Sequence, residues 1–124
     1  MEHNPRKFEA GKDPFGRVWT AELRWLQNAI SIRHADAVDV KFELKADDGT
    51  ILERVIALSH PHLLELSRRL DRPISDPWCI RLAGAHLRKM VETWEDAEKT
   101  IVVPSLEELE EHGRNTLPVA AGAR

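Results

Sequence analysis

Two short stretches bring groups with chemistry close together: "SHPH", with His60 and His62, and "HAD", with His34 and Asp36. In each stretch the two side chains are separated by one residue, a spacing that sends both to one side of an extended chain. Three imidazoles and a carboxylate gathered at one spot would suit zinc or another transition metal. The same set could support hydrolysis, with Asp36 orienting His60 as a general base.

Cys79, the single cysteine, follows Asp76 by three residues at the start of a predicted helix. A helix N-terminus favours a thiolate, but Asp76 opposes one, and Cys79 falls on an apolar stripe. It therefore reads as an inert core residue. His86 shares nearly the same helical face, but the axial rise between the two is about 10 Å, too long for a shared metal ion. It reads as a histidine at the edge of the core.

Charge is unevenly spread. Residues 54–91 carry seven Lys or Arg against three acids, whereas residues 92–112 carry one Lys against eight acids. Two solvated helix faces that neutralise each other would explain this. Alternatively, Arg68, Arg69, Arg72, Arg81, Arg88 and Lys89, with Trp78 as an aromatic anchor, form a surface for an acidic partner. The net charge is only −3, and few exposed aromatics accompany the arginines, so nucleic-acid binding through this Arg-rich helical face stands only as a second alternative. There is no glycine-rich phosphate loop, paired-cysteine motif, GxSxG or HExxH, so the familiar signatures of enzyme classes are missing.

The elements that must position these residues follow from periodicity. "AVDVKFELK" alternates cleanly, with Val38, Val40, Phe42 and Leu44 on one face. "ADDGT" signals a hairpin, and a three-residue loop with Gly49 at positive φ aligns Leu44 with Leu52, Val40 with Ile56 and Val38 with Leu58. Extended by two steps, that register sets Asp36 opposite His60 and His34 opposite His62.

Upstream, Trp19, Ala21, Leu23 and Trp25 alternate with polar residues, while Trp19, Leu23, Leu26 and Ile30 also fit a helix. A turn at Gln27-Asn28 keeps the apolar set on one face, so the strand reading is preferred and the helix kept as its alternative. The predicted strands cover 18–26, 29–33, 38–45 and 50–58.

Three helices follow. The first covers 61–70, with Leu63, Leu66 and Leu70 as its stripe and Pro61 marking its start. The second covers 77–94 after an Asp76 cap, with Cys79, Ala83, Leu87, Met90 and Trp94 on one side. After a short strand in "TIVVP", the third begins at "SLEELEEH", where Ser105 and Glu108 have capping-box spacing.

The chain thus reads as α+β: a four-stranded antiparallel meander with one face covered by two to three helices. Residues 1–16 and 113–124 are expected to be flexible arms around a single domain at 17–112. No apolar run is long enough to span a membrane, no signal-peptide core opens the chain, and one cysteine suits a reducing cytoplasm. The expected function is a non-catalytic accessory or protein-interaction module with a protein partner or a second copy of itself. It needs no cofactor; a zinc site or hydrolytic centre built on His34, Asp36, His60 and His62 is the alternative.

Overall fold

The computed structural model describes residues 7–29 and 37–115. Along the chain the elements are β1 (Lys7–Lys12), β2 (Val18–Ala29), β3 (Ala37–Ala46), β4 (Ile51–Ser59), α1 (His60–Leu70), α2 (Asp76–Thr93), β5 (Ile101–Val102) and α3 (Leu106–Asn115). The strands form one sheet in the order β1-β2-β3-β4-β5. The first four pair antiparallel, and β5 joins β4 in parallel.

The β3–β4 hairpin has the expected register, with Leu44 opposite Leu52, Val40 opposite Ile56 and Val38 opposite Leu58. The Ala46 amide donates to the Thr50 carbonyl at 2.8 Å, enclosing residues 47–49, and Gly49 has φ +93°. Glycine enters that region without the steric penalty a Cβ imposes.

β2 departs from expectation. Gln27 and Asn28 lie within a single strand that runs to Ala29 and pairs directly with β3. No turn occurs there, and the helical alternative is excluded as far as Ala29; residues 30–36 fall outside the described residues. A bulge at Arg24 breaks the alternation, because one extra residue shifts the phase of everything after it. Trp19, Ala21 and Leu23 face inward before the bulge, and Leu26 takes the inward place after it. Trp25, expected in the core, is turned to the other face and is 38% exposed. Residues 7–12, expected within a loose arm, form β1 and pair with β2. The sheet has five described strands: β1 is added, β2 alone runs from the expected first strand to Ala29, and the short strand expected in TIVVP joins as β5.

An Asp13 network closes the β1–β2 connection. Its carboxylate accepts from the Phe15 and Arg17 amides, the Arg17 guanidinium and the indole Nε1 of Trp19, all at 2.8–2.9 Å. Burial alone would push this carboxyl up, but the bonds from Trp19, Arg17 and Phe15 together hold it at about 2.

All three helices cover one face. The core joins inward residues of β1–β5, among them Trp19, Phe42, Ile56 and Leu58, to Leu63 and Leu66 of α1, Leu82 and Leu87 of α2 and Leu109 of α3. Ser59 caps α1 without a side-chain bond, Pro61 occupies its first turn, and Asp71 ends it at φ +53°. In α2 the cap is Ser75 rather than Asp76: its hydroxyl accepts from the Trp78 amide. Asp76 instead sits in the first turn, where a carboxylate still meets the positive end of the helix dipole. The capping box of α3 forms reciprocally, Ser105 N to Glu108 Oε1 at 3.0 Å and Glu108 N to Ser105 Oγ at 3.1 Å. Residues 113–115, expected in a mobile tail, complete α3.

One inward position is charged. Arg54, opposite Phe42, donates through Nε to the Ala97 carbonyl at 2.7 Å. It thereby ties β4 to the segment that leads into β5, where the Val55 amide donates to the Thr100 carbonyl at 2.8 Å.

Candidate functional site

The proposed histidine cluster is only half within the described residues, since His34 and Asp36 lie outside them. The β3–β4 pairing runs as far as Ala37 opposite Ser59, and His60 and His62 then enter α1 rather than continuing the strand. In a helix, residues two apart are turned by about 200°, so the shared side expected of this pair on an extended chain is lost. His62 Nδ1 is buried and has no hydrogen-bond partner among the described residues. Among these residues no group of three or more His, Cys, Asp or Glu side chains is arranged to hold a metal ion.

Cys79 is buried, and burial, reinforced by the nearby Asp76 carboxylate, pushes its thiol up to about 11. It is a core residue, not a nucleophile. Trp78 is also buried, 2% exposed, beneath the Arg72 guanidinium.

The basic residues of α1 and α2 are largely consumed at home. Arg68 and Arg69 both pair with Glu65, and Arg69 reaches Glu110 of α3 at 2.9 Å. Lys89 pairs with Glu108 of α3 at 3.3 Å. Arg88 donates to the Glu9 carbonyl and covers the Phe8 ring, while Arg81 is exposed. The opposed charges of the two segments thus meet at the surface, along the seam between α3 and the pair α1 and α2.

His86 lies deeper than expected. It is 3% exposed, and its Nδ1 is 3.0 Å from Nε2 of His112, itself 5% exposed. His112 was not singled out from the sequence, although its position three residues after Leu109 put it on the apolar side of α3. Burial holds both imidazoles below the ordinary histidine range, His86 at about 4.

Among the described residues the opposite face of the sheet carries no helix, and it is organised in cross-strand rows. One row runs Lys7, Glu22, Glu43, Glu53 across β1 to β4. Its charges are partly neutralised by Arg24 to Glu43 at 2.9 Å and Lys41 to Glu53 at 3.2 Å. An open depression of about 540 Å³, lined among others by Lys7, Thr20, Glu22, Glu43 and Lys45, lies beside it.

The next row runs Trp25, Lys41, Val55, Ile101 across β2 to β5. The Lys41 ammonium lies 5.8 Å from the centre of the Trp25 ring. Ile101 at the end of this row and Val103 two residues further on are 60% and 61% exposed. Trp25 reaches this row only because of the Arg24 bulge. Comparisons with protein-family models, with curated proteins and with solved structures found no match.

Proposed function

We propose that this chain is a non-catalytic accessory module of the cytoplasm that docks a protein partner on the uncovered face of its sheet. The supporting observation is the row Trp25, Lys41, Val55, Ile101, aromatic and aliphatic apart from Lys41, beside the charged row Lys7, Glu22, Glu43, Glu53. Isolated exposed apolar residues are ordinary, but a contiguous stripe rimmed by polar groups is the pattern of an interaction site. Aromatic anchors with aliphatic neighbours concentrate binding energy when a partner removes them from water. The fitting partner presents an apolar strip of its own, because the surrounding Arg24–Glu43 and Lys41–Glu53 pairs already satisfy one another. The Arg-rich helical side is a weaker docking surface, since most of its charge is spent on Glu65, Glu108 and Glu110.

Capture of the tagged full chain from its native host tests this. Wild type is expected to recover one partner in equal molar amount. Ile101→Lys/Val103→Lys, which alters two exposed side chains at an edge where lysine is well tolerated, should lower that recovery at least tenfold. Arg81→Glu on the helical side should leave it unchanged. Undiminished recovery by the double variant, or no stoichiometric partner for wild type, overturns the reading.

A further inference from the structure

The contact between α2 and α3 contains a buried pair of titratable rings. Leu109, His112 and Gly113 are the buried residues of α3. Gly113 sits so close to α1 and α2 that a Cβ there would lie 2.6 Å from Leu70 Cδ1, with Leu66 and Leu82 next nearest. His112 meets His86 beside these leucines, the rings edge to face with centroids 5.2 Å apart.

At 3.0 Å, one of the facing nitrogens must carry a hydrogen and the other a lone pair. A first added proton can sit on an outer nitrogen and leave that bond in place, though it places a charge where water is excluded. A second gives each ring a hydrogen on both nitrogens, so two N–H groups point at each other and the bond is lost.

We propose that α3 is an acid-released latch, undocking from α1 and α2 when the His86–His112 pair takes up protons. The charged groups around the pair set the window. Glu108 of α3, Asp96 of the connection after α2 and Glu111 of α3 favour protonation, whereas Lys89 of α2 opposes it. Glu108 is held below the ordinary carboxylate range, first by its capping bond to Ser105. Glu110, which ties α3 to Arg69, is held low by Arg114 and Arg69. The ion pairs made by Glu108 and Glu110 are thus held to lower pH than free glutamates would allow, and the rings are the groups assigned to the release.

The sign is fixed by linkage. The docked histidines have lowered pKa values, so the released state binds more protons. Docking is complete above the unperturbed value of 6.5 and weakens as pH falls towards about 4. Where release takes up both protons, the released-to-docked ratio rises by up to about 100-fold per pH unit.

Hydrogen exchange of the full chain at pH 7.5 and 4.5, compared as protection factors, tests this. In wild type the amides of 110–115 should lose at least 100-fold in protection while those of 38–44 in β3 keep theirs. His86→Leu/His112→Leu should abolish the difference. If that variant fails to fold, the ring-proton NMR titration of wild type decides: both imidazoles must titrate below 6, in step with the loss of α3 protection. Equal protection of α3 at the two pH values, simultaneous loss in β3, or a loss that persists in the folded double variant overturns the proposal.

Discussion

Trp78 offers a substitution whose outcome depends on a competition between two terms. The indole is 2% exposed and its Nε1 is buried with no hydrogen-bond partner among the described residues. Trp78→Phe removes two ring carbons and the N–H group. At roughly 0.8 kcal/mol per buried methylene-sized group, the lost packing costs about 1.6 kcal/mol. Against this, an unpaired buried donor costs about 1–3 kcal/mol, and the substitution removes that donor. The two terms nearly cancel, so the variant should lie within about 1.5 kcal/mol of wild type, with a gain as acceptable as a small loss.

Had the indole been hydrogen-bonded, both terms would have the same sign, and the loss would reach about 2.5–3 kcal/mol. The two cases separate cleanly in urea denaturation followed by far-ultraviolet circular dichroism. With a slope of about 2 kcal/mol/M, a loss of that size moves the midpoint by more than about 1 M. A loss above about 2.5 kcal/mol with an unchanged slope would refute the reasoning and show that the indole N–H is satisfied.

Three further outcomes follow from the same structure. Asp13 titrates at about 2 when folded against an ordinary 3.8, so its contribution to stability is complete above about pH 4 and is lost as pH falls through 2. Asp13→Asn should be less stable than wild type at neutral pH, with acid-unfolding curves that converge near pH 2; parallel curves would contradict the network. Cys79, whose thiol is raised first by burial and then by Asp76, should ignore a thiol reagent at pH 8 until denaturant is added, and rapid native-state labelling would count against its burial. Arg54→Met removes the bond to the Ala97 carbonyl and should speed exchange of the Val55 amide at least tenfold while leaving Val40 protected. Equal exchange at Val55 would mean that β5 holds its place without Arg54.

The β3–β4 hairpin was legible because three cues agreed: the alternation of β3, a turn sequence with Gly49, and a register that puts Val38, Val40, Leu44, Leu52, Ile56 and Leu58 on one face. The helices were legible from their stripes and capping residues, within a residue at the start of α2. β2 was legible as a strand starting at Val18, but its run on to Ala29 was not, because a bulge is a backbone event with no residue signature of its own. Strict alternation through Arg24 put Trp25 inside, and the error then demanded a turn at Gln27-Asn28 to restore the face. β1 was hidden by its brevity and by Gly11, which weakens a strand pattern. The His86–His112 contact joins residues 26 apart on two different helices, and no local period reports such a meeting. The extended placement of His60 and His62 differed because the strand register was carried past Pro61 into a helix, and His34 and Asp36 lie outside the described residues.

β5 has a consequence for the order in which this surface comes into being. Ile101 and Val102 pair with Val55 and Ile56 only after the chain has travelled through both α1 and α2. Closing that long excursion costs chain entropy before any contact repays it, so local hairpins form readily and such a distant parallel pairing is slow. The first three members of the row, Trp25, Lys41 and Val55, can meet as soon as β2, β3 and β4 zip together. The fourth, Ile101, arrives last. A partner that requires all four therefore engages only a chain that has finished folding, and the shortest strand of the sheet serves as its proof of completion.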